Sequence, residues 1–131
     1  MKYIMMMTGT LPGWKQQGVD GWTPDEAHMD FLRAFNKELT EAGELVQIVA
    51  LTAPDQHRVV RARDDGPPTV TDGPFPEAKE FLAGYWIIDV DSPERAYELA
   101  GRVSGAPGPG GKPLNMTVEL RPVMGGSGVE M

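Results

Sequence analysis

Two helix-start signals constrain this chain more than any other feature, because each falls between apolar segments that have the length of strands. The string TPDE at residues 23–26 combines a capping threonine, a proline at the first helical position and a glutamate three residues after the cap. It predicts a helix over 24–42 that stops at Gly43, since glycine tolerates the left-handed conformation that ends many helices. The string SPE at residues 92–94 predicts a second helix. Its expected buried face consists of Ala96, Tyr97, Leu99, Ala100 and Val103.

The segments around these helices predict the fold class. Apolar or alternating strands are predicted at 2–8, 44–52, 82–90 and 114–121, and a short hairpin at 58–63 with 69–71. The strand at 44–52 is apolar on both faces, which is typical of a central strand. The resulting order is β-α-β, a hairpin insert, then β-α-β. It predicts an α+β, ferredoxin-like fold, an antiparallel sheet with two helices on one face and an inserted hairpin.

The length of 131 residues fits one domain, which we place at residues 1–124. The remaining 125–131 are expected to form a flexible tail, and the string GAPGPGG at 105–111 predicts a flexible loop. Two helices can cover only one face of the sheet, yet the strands are apolar on both. We therefore expect a homodimer in which two uncovered sheet faces pack together.

Composition argues against several classes of function. A net charge of −7 repels a polyanion, so no nucleic-acid partner is expected. The absence of cysteine excludes disulfides and thiolate chemistry. No apolar stretch approaches the roughly 20 residues of a membrane helix, so no membrane partner is expected and a cytoplasmic location is predicted. His28 and His57 lack metal-ligand spacing, no phosphate-binding loop is present, and neither a metal nor a cofactor is expected.

The string DGPFPEAKE at residues 72–80 is the most specific motif of the chain. It resembles the DGPF signature of the YCII-related family, and Asp72, Gly73, Pro74, Phe75, Lys79 and Glu80 match that pattern. The resemblance implies a ferredoxin-like fold, a dimeric α+β barrel and an active site that uses a histidine and an aspartate. It implies no particular reaction, and the neighbourhood of some relatives to sigma-factor genes is an association rather than a mechanism.

His28 and Asp72 are the candidates for that pair. His28 precedes Phe31, Leu32 and Phe35 at helical spacing, so it lies on the apolar stripe of the first helix. It is either a core histidine with a satisfied hydrogen bond or an acid–base group matching the family's helix histidine. Asp72 either caps the backbone of the turn that follows it or orients the imidazole of His28, and the two roles are compatible.

Five further residues are candidates for substrate binding. Phe75 between two prolines is an aromatic plug or a pocket wall, while Lys79 and Glu80 either contact a substrate or remain solvated. Trp14 and Trp22 either cover a pocket or anchor the long loop that contains them. His57 matches nothing in the family pattern and is expected to be exposed at a turn.

Two functions remain open at this point. The first is a small cofactor-free enzyme that uses a His28–Asp72 acid–base pair on a small organic substrate, such as an organic acid or a lactone. The alternative is a non-catalytic module that binds a small molecule or regulates a partner.

Overall fold

The computed structural model of the chain describes residues 1–10, 25–52, 56–72 and 80–125, except for the side chains of Thr10 and Glu80. The described strands and helices follow one another in the predicted order. They are β1 (Lys2–Thr10), α1 (Glu26–Glu41), β2 (Leu45–Ala50), β3 (Val59–Arg63), β4 (Gly66–Thr71), β5 (Glu80–Asp89), α2 (Pro93–Ser104) and β6 (Val118–Pro122). The predicted α+β, ferredoxin-like class is confirmed. No helix in the described part of the chain is long and apolar enough to cross a membrane.

The main sheet has four strands in the order β2-β5-β1-β6, and every neighbouring pair is antiparallel. Strands β1 and β5 are central, and β2 lies at an edge. The prediction of a central strand at 44–52 is therefore wrong. The apolar run that suggested it includes Val46 and Ile48, which are exposed, and the pairing of β2 with β5 shifts register between Leu45 and Gln47. The described strands do not close into a barrel within one chain.

Both helices pack on one face of this sheet and bury the core there. The central strands contribute Met5, Trp86 and Ile88, all nearly inaccessible to solvent. From α1, Phe35 meets Trp86 edge-on with ring centroids 5.9 Å apart, an arrangement that aromatic quadrupoles favour. The core cluster of buried residues is Tyr3, Met5, Phe35, Leu39, Trp86, Ile88, Val90, Ala96, Leu99, Ala100 and Val103.

The second helix differs from its predicted face at one position. Tyr97 is 60% exposed, whereas it was expected to be buried. The four buried positions of α2 are Ala96, Leu99, Ala100 and Val103, which follow the spacing i, i+3, i+4, i+7. Tyr97 lies one residue, or about 100° of helical rotation, beyond the first of them and so points away from the sheet.

The inserted hairpin forms a sheet of its own, in which β3 and β4 pair antiparallel. Twelve of its thirteen residues from 59 to 71 are exposed. Val60 and Val70 are direct cross-strand partners and are 62% and 59% exposed. An isolated two-stranded sheet is at best marginally stable in water, so the pairing of β3 with β4 contributes little to the stability of this hairpin.

The glycine- and proline-rich segment after α2 is ordered, so the expectation of a flexible loop is wrong. Pro107 and Pro113 form an isolated antiparallel bridge, and Pro109–Gly111 form a single 3-10 turn between them. The amide of Gly108 donates to the carbonyl of Lys112 at 2.7 Å, and the amide of Leu114 donates to the carbonyl of Ala106 at 2.9 Å. Glycine and proline in this segment therefore form a tight, hydrogen-bonded turn rather than a flexible loop.

Candidate functional site

His28 lies near one end of the main sheet, which we call the His28 end. Met7 of β1 pairs there with Gly84 of β5 and with Val118 of β6, and Ala50 ends β2 opposite the same glycine. The first helix begins at this end, because its C-terminus leads directly into β2 at the other. The described residues that flank 11–24, 53–55 and 73–79 all belong to elements that start or finish here, apart from the separate hairpin.

The first turn of α1 positions His28. Asp25 is the N-cap, and its carboxylate accepts a hydrogen bond from the backbone amide of His28 at 3.0 Å. The helix therefore starts two residues later than the TPDE string predicted, and the expectation that Thr23 caps it is wrong, although Thr23 itself lies outside the described residues. An N-cap side chain accepts from an amide two or three residues later, so moving the cap from Thr23 to Asp25 moves the capped amide to His28. The negative charge of Asp25 also interacts favourably with the helix N-terminus.

His28 is 8% exposed and is the only charged or polar residue classed as buried among the described residues. Its Nδ1 lies 2.9 Å from the carbonyl oxygen of Pro107, in the ordered turn after α2. Since a carbonyl oxygen can only accept, Nδ1 must carry the proton of this hydrogen bond. A neutral His28 then has its lone pair on Nε2, which is the form of imidazole that can take up a proton as a general base.

Asp72 has a different partner from the one expected. Its side chain is 87% exposed, and its carboxylate lies 3.4 Å from Nε of Arg58. An ion pair this exposed contributes about 0–1 kcal/mol to stability. Among the described residues, Asp72 thus forms an ion pair with Arg58, whereas the ring of His28 forms a hydrogen bond with the backbone carbonyl of Pro107. The acid–base role of the two residues stays a prediction.

The side chains of the remaining predicted residues lie outside the described part of the structure. Trp14, Trp22, Phe75 and Lys79 lie outside the described residues. Glu80 is the first residue of β5 and pairs with Thr10, but its side chain also lies outside the described part of the structure.

Two features of the described histidines were missed or misjudged from the sequence. The contact with Pro107 is 79 residues away along the chain, and only the proline- and glycine-rich composition of 105–111 signalled that this segment is unusual. His57 was expected to be exposed, yet it is half-buried and its Nε2 is shielded from solvent. It precedes the hairpin closely, so a turn position did not imply exposure.

The opposite end of the sheet carries an open, acidic recess that is distinct from the His28 end. Two of its carboxylates are held by partners: Glu44 makes two hydrogen bonds with the guanidinium of Arg95, at 2.9 and 3.0 Å, and Asp89 pairs with the amino group of Met1 at 3.1 Å. The bond to Glu44 raises the pKa of Arg95. The recess is lined by Ala42, Gly43, Glu44, Asp89, Val90 and Asp91. The described residues contain no group of three or more metal-ligating side chains, here or elsewhere.

Comparison with known proteins adds a family and one relative. The model of the YCII-related domain matches residues 1–106, which is most of the chain. An uncharacterised protein of Rhizobium meliloti (strain 1021) is 33% identical over 99 residues, covering 76% of this chain and 75% of the relative. The match to the family ends before β6, although β6 pairs with β1 and completes the same sheet.

Proposed function

Since this chain belongs to the YCII-related family, as the string at residues 72–80 predicted, we propose that it acts on a small organic substrate with His28 as the acid–base group and without a cofactor. The observation that carries the proposal is the hydrogen bond between Nδ1 of His28 and the carbonyl oxygen of Pro107. It holds a buried imidazole in one tautomer at the end of the sheet where the sequence signature enters β5.

We assign a proton-transfer role to His28. The carbonyl oxygen of Pro107 accepts a hydrogen bond from Nδ1 and so fixes the orientation of the ring. Reversible proton transfer to a substrate then occurs at Nε2, and the buried setting limits competition from water.

The proposal is tested with a panel of small organic acids and lactones in a thermal-shift assay. Wild type is compared with His28→Gln, and His57→Gln is the matched control because the chain has only two histidines. We expect at least one compound to raise the melting temperature of wild type and His57→Gln but not of His28→Gln, because a ligand that binds only the native state stabilises it. Hits are then followed for turnover by NMR. A panel in which every stabilising compound acts equally on His28→Gln contradicts the proposed site, while binding without turnover favours the alternative of a non-catalytic binding module.

The participation of Asp72 is a separate question that a double-mutant cycle answers. Free energies of unfolding are measured for His28→Gln, Asp72→Asn and the double variant. A direct contact predicts a coupling energy of about 0.5–3 kcal/mol, whereas no coupling rejects the pair. A second cycle with Arg58→Gln calibrates the method, since the observed ion pair of Arg58 and Asp72 predicts a coupling below about 1 kcal/mol.

We also propose that the functional unit is a homodimer formed through the sheet face opposite the helices. Register places Ile4 of β1 opposite Ile87 of β5, and Met6 opposite Tyr85, on the face opposite to α1 and α2. Val49 of β2 extends the second of these rows. At the β6 side the same rows end in charged residues, so an apolar centre has a polar rim, as protein interfaces commonly do.

Light scattering coupled to size exclusion tests the dimer. Wild type is expected at twice the chain mass of 14.3 kDa at micromolar concentration. Ile87→Glu should yield a monomer, because a buried unpaired charge opposes association. The control is Tyr97→Glu, which places the same charge at an exposed position of α2 and should remain a dimer. A wild type at 14.3 kDa contradicts the proposal.

A further inference from the structure

The turn that follows α2 is built with more precision than a simple connection needs. Between Ala106 and Leu114 the chain reverses through the bridge of Pro107 with Pro113 and four backbone hydrogen bonds, two of which join the two arms of the turn. Ala106 is almost completely buried, which anchors the start of the turn in the core. The hydroxyl of Ser104 donates to the carbonyl of Met116 at 2.6 Å and so ties the end of α2 to the strand side of the reversal. We call residues 106–114 the Pro107 turn.

Gly108 makes the close packing of this turn possible. A Cβ at this position would lie 2.5 Å from Cδ2 and 2.9 Å from Cγ of Leu114, and 3.3 Å from the carbonyl oxygen of Lys112. Side-chain carbons do not approach one another this closely, and Cγ cannot move away without displacing the whole side chain. With Leu114 in place, the position therefore admits only glycine if the two arms of the turn are to stay together.

The Pro107 turn presents the carbonyl oxygen of Pro107 to His28 of the first helix. The acceptor for Nδ1 of His28 is the residue just before Gly108, so any separation of the two arms moves this oxygen. The geometry points to the Pro107 turn as a positioning element that keeps His28 in the Nδ1-protonated tautomer. This deepens the proposed function on which it rests, because it identifies what holds the imidazole in the form that has its lone pair on Nε2. Pro107 is the acceptor, and Gly108 is the positioning residue that acts through it.

The test is the tautomer itself, read from long-range proton–nitrogen spectra of the full chain labelled with ¹⁵N-histidine. The spectra are recorded above the pH at which the rings titrate. The chain has two histidines, and His57→Gln assigns the remaining signals to His28. Wild type is expected to show a protonated-type Nδ1 and an unprotonated-type Nε2 for His28. An Nε2-protonated ring in wild type overturns the inference.

Gly108→Ala is the perturbing variant, and Gly105→Ala is its matched control. An added Cβ at Gly105 meets its nearest atom, the carbonyl oxygen of Gly101, at an ordinary 3.5 Å. We expect Gly108→Ala to lose the single tautomer and show a mixture of both, while Gly105→Ala keeps the wild-type pattern. If Gly108→Ala does not fold, the double variant Gly108→Ala/Leu114→Ala removes the atoms that the new Cβ would strike and is expected to regain the wild-type pattern.

Three results contradict the positioning role: an unchanged tautomer in folded Gly108→Ala, the same mixture in Gly105→Ala, or a folded double variant that keeps the mixture. None of these spectra requires a ligand. Failure of the ligand panel with an Nδ1-protonated wild type therefore rejects the proposed function, whereas a bound ligand with an Nε2-protonated wild type rejects the positioning role.

Discussion

Replacing Gly84 by alanine should destabilise the protein through a backbone contact that cannot relax. Gly84 lies on the central strand β5, with Met7 opposite on β1 and Ala50 opposite on β2. An added Cβ would be 2.7 Å from the carbonyl oxygen of Val49 and 3.5 Å from Cα of Ala50. Both are backbone atoms, and the paired strands on either side leave β5 no direction in which to move. Overpacking of this kind costs about 1–3 kcal/mol.

Urea unfolding followed by tryptophan fluorescence measures this loss. At an m-value of about 2 kcal/mol/M, the expected loss lowers the unfolding midpoint by about 0.5–1.5 M. Protein concentration must be held constant, because association makes apparent stability depend on it. We also expect the added Cβ to displace β2 more than β1, because the backbone atoms that lie close to it belong to β2.

Gly101→Ala is the matched control for the same chemical change. Gly101 lies in the interior of α2, and a Cβ there would meet nothing within 4 Å. Alanine is the better helix former, so this variant is expected to gain about 0.5–1 kcal/mol. The reasoning is refuted if Gly84→Ala is as stable as wild type, or if both variants lose stability equally.

Three further predictions concern the first helix and its neighbours. Asp25→Ala should lower the free energy of unfolding by about 1 kcal/mol, while Asp25→Asn retains most of the capping hydrogen bond, and equal losses in urea unfolding would contradict the cap. Trp86→Phe should cost about 1–3 kcal/mol, because the Nε1 donor to Oδ1 of Asn36 at 2.8 Å is lost along with buried volume; a change below about 0.5 kcal/mol in the same assay would contradict it. The hydrogen bond from Arg102 lowers the pKa of Glu38, so the stability that this pair contributes is present above the ordinary carboxyl value of 4.5 and is lost as the pH falls through the lowered value. NMR titration of Arg102→Gln should show the pKa of Glu38 rising toward 4.5, and an unchanged titration would rule out this cause.

Local patterns predicted the helices and the fold class well, because caps and periodicity act within a few residues. Gly43 does take a positive φ of 72°, and Ser92 does cap α2 by accepting the amide of Arg95. The start of α1 was displaced by two residues because the N-cap is Asp25 rather than Thr23, and the carboxylate of Asp25 accepts from the amide of His28. Either residue is a good cap, and sequence alone did not choose between them.

Strand order and site contacts depend on pairings that a local pattern does not encode. The apolar run of β2 fits a buried central strand and an edge strand with an apolar uncovered face equally well, and only the strand order of the sheet, in which β5 is the one described neighbour of β2, distinguishes them. Likewise, the partner of His28 is a backbone carbonyl, which every residue possesses. No residue type marks such an acceptor, so the sequence could indicate the histidine but not what orients it.

The two ends of the sheet differ in how their polar groups are used, and this difference supports our proposal for the His28 end. At the opposite end, Arg95 and the amino group of Met1 neutralise the carboxylates of Glu44 and Asp89 and join α2 and the first strand to their neighbours. Those pairs stabilise the fold by linking elements, and a substrate would have to displace them. At the His28 end the Nδ1 of the buried imidazole is hydrogen-bonded to the backbone carbonyl oxygen of Pro107, which fixes the orientation of the ring without tying two charged side chains together.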